Sequence, residues 1–225
     1  MLGAIGTVQA QTQNPNFRQV NLPNYDNKML HFGFYVGGHQ SSFRLRYNED
    51  FTTFDSLHSI IIDKSPGVSI GFLANFHLFQ YLDVRPMFKV AFYEYDLTFN
   101  YTDPEQRPDF KPVEAAMVEL PIMFRYRSMR RRNFGMYLVG GVTPSLQVGG
   151  RPDDDKDPNF VHTHNENLAV EYGFGLDIYY PLFKFSPEIR ISHGLRNMIK
   201  PGINDYSAGI DRLNTHSVSL YLLVQ

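Results

Sequence analysis

Apolar and polar residues alternate along eight segments of this chain, each ten or more residues long. The clearest segment runs from Ala116 to Tyr126, where apolar residues occupy one parity and Glu119, Pro121 and Arg125 lie on the other. A period of two over this length predicts a β-strand. Because the apolar face is about as long as a bilayer is thick, the segment is typical of a strand tilted across a membrane; strands of soluble sandwiches are usually half as long.

Long and short connections separate these segments in strict alternation. The strands are predicted at about 30–46, 66–79, 82–100, 116–126, 134–149, 167–180, 183–195 and 213–225. Outer-membrane barrels have an even number of strands, long outer loops and short periplasmic turns. The sequence therefore predicts an all-β fold, namely an eight-stranded antiparallel transmembrane β-barrel with short periplasmic turns, long extracellular loops and a lumen filled by side chains.

The first 29 residues do not follow the alternation. Residues 1–10 resemble the end of a signal peptide, in which Val8 and Ala10 are the small residues before a cleavage site that precedes Gln11. Residues 11–29 are polar and are predicted to form an unstructured lead-in. We therefore expect three parts: a signal-peptide remnant at 1–10, the lead-in at 11–29 and an outer-membrane barrel at 30–225.

The composition supports an exported barrel and argues against other classes. The mean hydropathy is −0.31, and no stretch approaches the roughly 20 apolar residues of a membrane helix. The chain has 19 Phe and 14 Tyr, which suit strands and interfacial girdles, and no Cys. A net charge of −2 gives no case for nucleic-acid binding. The expected surroundings are outer-membrane lipid, and the barrel is expected to be monomeric.

The inward parity of the strands carries a balanced set of charges. Five acids and five bases belong to it: Asp83, Glu119, Glu171, Asp177 and Glu188, with Arg85, Lys89, Arg125, Lys184 and Arg190. An eight-stranded barrel is just wide enough for side chains to fill. Since burying an ion costs several kcal/mol unless it is paired, we expect these groups to pair across the lumen and plug it; an ion path is the alternative.

A short basic turn follows the fourth strand and holds Arg127, Arg130, Arg131 and Arg132. Such a turn contacts lipid phosphates or solvent in one interpretation. In the other it is a docking patch for an acidic periplasmic partner. Both interpretations place it on the periplasmic side.

Three further patterns are candidate sites. The acidic run Asp153–Asp157 offers oxygen ligands for Ca²⁺ but lacks the glycine and distal glutamate of a calcium loop, so a solvated loop is favoured. His162 and His164 lack the pattern that completes a metal site. Ser192 and His193 are adjacent on a strand and point to opposite faces, so they are not paired as nucleophile and base. We predict no catalytic residue, metal or cofactor.

Two stretches carry a resemblance to a known family: Val118–Ser128, which reads VELPIMFRYRS, and Arg131–Gly141, which reads RRNFGMYLVGG. They resemble the PorT family of Bacteroidetes outer-membrane barrels, and Glu171–Asp177, Phe185–Arg190 and Ser192–Leu195 extend the similarity over most of residues 30–225. The resemblance implies a non-enzymatic component of the type IX secretion system that supports cargo export, and gliding motility where present, through other components of that system.

Two alternatives from other classes remain open. A small porin-like or adhesin-like barrel would conduct ions or bind ligands through its loops. A membrane-embedded lipid-modifying enzyme would need a nucleophile and a base near one membrane interface.

Overall fold

Nearly all of the described chain is strand. The computed structural model describes residues 20–47, 57–62, 65–101, 109–149, 166–196 and 210–225. Its strands are β1 (Leu30–Tyr47), β2 (Leu57–Ile62), β3 (Ser65–Phe79), β4 (Leu82–Tyr101), β5 (Asp109–Glu119), β6 (Ile122–Arg127), β7 (Phe134–Gly149), β8 (Glu166–Tyr179), β9 (Lys184–Gly194) and β10 (Ile210–Val224). A short 3₁₀ turn, Tyr25–Asn27, precedes β1. Within these ranges no helix is long and apolar enough to cross a membrane.

The strands close into a ring. The antiparallel neighbours run β4, β3, β1, β10, β9, β8, β7, and β7 returns to β4 through β5 and β6. β2 continues along β4 beyond β3, and β5 and β6 together occupy one position in the ring. The ten segments therefore form eight barrel strands, and the prediction of a closed eight-stranded antiparallel barrel is confirmed.

Two predicted boundaries are wrong. The segment Ala116–Tyr126 is not one uninterrupted strand, because it breaks at Leu120 and Pro121, and the proline nitrogen has no hydrogen to donate. The ladder survives the break, since the carbonyl of Pro121 accepts from the Met87 N–H at 2.8 Å and the Leu120 N–H donates to Pro144 at 3.0 Å.

The second error concerns strand length on the outer side. β2 falls inside the long connection predicted between the strands at about 30–46 and 66–79, and β5 begins at Asp109 rather than at Ala116. Both pair with the outer part of β4, where Leu97 faces Ile62 on one side and Lys111 on the other. Pairing with a long neighbouring strand therefore overrides the weak alternation of these stretches.

The outer face of the barrel is apolar and the inner face is mixed. Phe34, Phe72, Phe174 and Leu220 are all more than half exposed on the outside. Facing inward are the buried Tyr35, Leu73, Met87, Met123, Tyr137, Val139, Tyr221 and Leu223. This arrangement reverses that of a soluble barrel and is the one that hydrocarbon surroundings require.

Candidate functional site

Charged side chains fill the barrel interior. All ten charged residues predicted for the lumen are at most 4% exposed: Asp83, Arg85, Lys89, Glu119, Arg125, Glu171, Asp177, Lys184, Glu188 and Arg190. They form three contiguous clusters, which follow one another from the periplasmic end to the outer end of the barrel.

The periplasmic cluster is centred on Arg125. Its guanidinium donates to Asp83 at 3.1 Å and to Asp177, and it lies 3.9 Å from the centre of the Tyr137 ring. The ammonium group of Lys184 lies 3.9 Å from the second oxygen of Asp177. One guanidinium therefore bridges two carboxylates from different strands, which is the fork geometry that arginine provides.

The central cluster is built around Glu188. One of its oxygens accepts from Arg85 at 2.7 Å and from the Tyr137 hydroxyl at 2.6 Å, and the other accepts from Arg190. Arg190 also reaches Glu171 at 3.3 Å. The carboxylate thus has three donors, as a fully buried anion requires.

The outer cluster is a single ion pair with two phenols. The ammonium of Lys89 lies 2.7 Å from Glu119 and donates to the Tyr221 hydroxyl at 3.0 Å. The Tyr93 hydroxyl donates to the other oxygen of Glu119 at 2.6 Å. Beyond this pair, toward the outer loops, Ser41, Thr143 and other hydroxyl residues line a small polar cavity.

Sequence parity identified the ions of the interior but not their neutral partners. Tyr137 and Tyr221 each contact charged groups of more than one strand. Both lie on the inward parity, so the same pattern could have identified them. Space for their rings comes from glycine, because a Cβ added at Gly175 would collide with Tyr137 and one at Gly37 with Tyr221.

The basic turn divides into two halves. Arg127 and Arg130 contact the Asp26 carboxylate at 2.8 Å and 3.5 Å, and the Arg130 guanidinium lies 3.7 Å from the Tyr179 ring centre. Arg131 and Arg132 are exposed. Contacts within the protein therefore engage Arg127 and Arg130 of the predicted patch, whereas Arg131 and Arg132 are open to the periplasm.

Residues 20–29 are structured, so the prediction of an unstructured lead-in is wrong for them; residues 1–19 lie outside the described chain. Tyr25 stacks on His31 with ring centres 3.7 Å apart, and its hydroxyl donates to the Gln225 side chain at 3.2 Å. Burial raises the pKa of the Tyr25 phenol, which therefore stays protonated as a donor. Asn21 bonds to Asn133 and to the Tyr179 carbonyl. The segment thus packs across the periplasmic end of the barrel.

Replacing Asp26 with asparagine is expected to loosen this N-terminal segment, because Arg127 and Arg130 lose their common anion. These pairs are partly exposed, so the free energy of unfolding should change by less than about 1 kcal/mol, while amide hydrogen exchange of residues 20–29 accelerates. Hydrogen exchange with mass spectrometry in detergent micelles measures this. Arg131→Ala is the matched control and should exchange like the wild type. Unchanged exchange in Asp26→Asn would mean that the Asn21 and Tyr25 contacts alone hold the segment.

Of the remaining candidate residues, only Ser192 and His193 lie in the described part of the chain. Ser192 shares the parity of the buried Glu188 and Arg190, whereas His193 contacts the exposed Tyr172, so the two side chains point to opposite faces as expected. The acidic run Asp153–Asp157 and the pair His162 and His164 fall outside the described residues.

One protein family matches the chain. The family described as outer membrane protein beta-barrel domain matches residues 9–200. No curated protein matches the sequence.

Several solved outer-membrane barrels are similar in structure. Neisserial surface protein A is 11% identical, with 88% of this chain and 99% of that chain covered and a TM-score of 0.45. The outer membrane protein OprG from Pseudomonas aeruginosa is 10% identical, with 86% and 92% covered and a TM-score of 0.45. The outer membrane enzyme PagL is 10% identical, with 84% and 97% covered and a TM-score of 0.44. Similarity at this level assigns no activity to the chain.

Proposed function

The chain belongs to the outer membrane protein beta-barrel domain family and resides in the outer membrane, and from that premise we propose that it is a non-enzymatic component of the type IX protein secretion system. In this role it supports cargo export, and gliding motility where present, by binding or assembling partner proteins. The observation that carries the proposal is the filled interior.

In the described part of the chain, charged and aromatic side chains fill most of the barrel interior. Arg85, Arg125 and Glu188 are each at most 1% exposed and bridge strands on different sides of the barrel. Aqueous channels are found in barrels of about 16–18 strands, whereas an eight-stranded interior is just wide enough for side chains or one small ligand. The filled lumen argues against a porin and favours a protein that acts through its surfaces.

The assignment to type IX secretion is supported by the segment Val118–Ser128, which contains the end of β5 and all of β6 and resembles the PorT family. In this segment Glu119 and Arg125 hold the interior clusters, and Arg127 binds Asp26 at the periplasmic end. The segment leads directly into the exposed pair Arg131 and Arg132. We assign this pair as the docking point for an acidic periplasmic component of the secretion apparatus.

The decisive experiment deletes the gene in the native bacterium and measures secreted cargo in the medium. We expect cargo to accumulate inside the deletion strain and secretion to return with the wild-type gene. Normal secretion without the gene would overturn the proposal.

Complementation with the double variant R131E/R132E tests the docking point. We expect this variant to enter the outer membrane, shown by a heat-modifiable gel mobility, but to restore less secretion than the wild type. Arg196→Glu is the matched control, because Arg196 is an exposed arginine at the opposite end of the barrel. If R131E/R132E and Arg196→Glu restore secretion equally, the docking point lies elsewhere.

A further inference from the structure

Two histidines and a tyrosine form a cluster on the outward parity of β8, β9 and β10, and His216 also borders the polar cavity. The Nδ1 atoms of His193 and His216 lie 3.1 Å apart, and the Tyr172 hydroxyl lies 3.1 Å from Nε2 of His193. The two imidazole centres are 4.6 Å apart, and the Tyr172 ring is stacked near His193 at 5.7 Å.

The strand register places the cluster at the outer border of the membrane. His216 pairs with His193 across β10 and β9. The next lipid-facing pair on the periplasmic side is Val218 with Ile191. Tyr172 pairs with Ile191 in the lipid-facing surface, and its hydroxyl extends to His193. The histidines are therefore the first polar residues beyond the lipid-facing surface of β9 and β10, where water and dissolved ions have access.

The convergence of two ring nitrogens has a chemical consequence. Each neutral imidazole has one nitrogen lone pair, and two lone pairs 3.1 Å apart repel unless a proton or a cation lies between them. Two nitrogen ligands at about 2.0–2.1 Å from a tetrahedral zinc ion lie roughly 3.3 Å apart. The observed separation of 3.1 Å therefore needs little adjustment to become that of a chelating pair.

We propose that His193 and His216 bind one Zn²⁺ ion through their Nδ1 atoms, and that Tyr172 is a positioning residue. In the metal-binding tautomer, Nε2–H of His193 donates to the Tyr172 hydroxyl and leaves Nδ1 unprotonated toward the metal. This is the outer-shell hydrogen bond that orients histidine ligands in zinc sites. In the described part of the chain no group of three or more His, Cys, Asp or Glu side chains converges, so water completes the coordination and the ion remains exchangeable.

The test uses the full chain, folded in detergent and stripped of metal with a chelator. Isothermal titration with Zn²⁺ gives the affinity, and the visible absorption of added Co²⁺ reports nitrogen coordination. We expect His193→Asn and His216→Asn to weaken Zn²⁺ binding by at least tenfold and to abolish the Co²⁺ band. Tyr172→Phe should weaken binding by about tenfold, the usual effect of losing such a hydrogen bond.

His39→Asn is the matched control, because His39 lies buried inside the barrel; it should bind Zn²⁺ like the wild type. Heat-modifiable gel mobility establishes that every variant is folded. Equal Zn²⁺ binding by the wild type, His193→Asn and His216→Asn would overturn the proposal and leave the pair sharing only a proton. Absence of binding by the wild type would overturn it as well.

Discussion

Replacing Phe174 with arginine is expected to reduce the free energy of unfolding by about 2–4 kcal/mol, the cost of placing arginine on the lipid face of a barrel near the bilayer midplane. Phe174 is the middle residue of the seven outward positions between Leu168 and Tyr180, and it is 52% exposed on the outer face. Its cross-strand neighbours are Leu138 and Ile189, both exposed on the same face. Urea titration after refolding into lipid vesicles measures the change.

The same change at the membrane edge is the control. Leu182 is 90% exposed in the turn between β8 and β9, and arginine near an interface costs only about 0–1 kcal/mol. Leu182→Arg should therefore fold and insert nearly like the wild type. If both variants were equally stable, the lipid-facing surface would be assigned to the wrong side of the barrel.

Replacing Arg125 with methionine is expected to destabilise the barrel by about 3–5 kcal/mol, because removing the shared cation of two buried ion pairs leaves an excess of negative charge in the interior. Two carboxylates, Asp83 and Asp177, lose their shared guanidinium. His77 remains at 2.6 Å from Asp83, and Lys184 at 3.9 Å from Asp177. Methionine fills much of the same volume, so the loss should come mainly from charge. Equilibrium unfolding in lipid vesicles again provides the measurement.

Arg196 provides the comparison for that variant. It forms an ion pair with Glu166 at 3.0 Å, but both side chains are about half exposed or more. Exposed pairs contribute about 0–1 kcal/mol, so Arg196→Met should unfold within that range of the wild type. The double variant R125M/D83N should recover part of the loss, since it removes one of the two buried carboxylates and leaves Asp177 beside Lys184. An Arg125→Met variant as stable as Arg196→Met would show that the interior charges are not held by their pairing.

Parity was enough to predict which side chains face inward. A strand alternates its side chains between two faces, so Glu171 and Asp177, six residues apart in β8, had to share one face. The same rule fixes Lys184, Glu188 and Arg190 on β9. Closure into eight strands followed from the alternation of long and short connections.

Parity does not determine which inward groups meet. That choice depends on the register between strands, which places Asp83 opposite Arg125 and Lys89 opposite Glu119. Contacts within a cluster also cross the lumen, as between Arg85 and Glu188. Such pairings depend on the relative stagger of the strands around the barrel, and the sequence of one strand does not determine that stagger.

The periplasmic end was the least predictable part. Residues 20–29 have no apolar alternation, and their order comes from partners far along the chain, such as Asn133 and Gln225. The pair His193 and His216 was hidden for the same reason, because the two residues lie on successive strands joined by a long connection. Local composition carries no signal for contacts of this kind.

The unusual length of β4 has a consequence for how far the protein reaches. At about 3.3 Å per residue its 20 residues measure roughly 66 Å, or about 45 Å in height at a tilt of about 45°. The lipid-facing band of such barrels is only about 25 Å tall. Together with β2 and β5, the strand therefore extends roughly 20 Å beyond the hydrocarbon region of the bilayer. The outer end of β4, paired with β2 and β5, therefore lies well beyond the lipid headgroups.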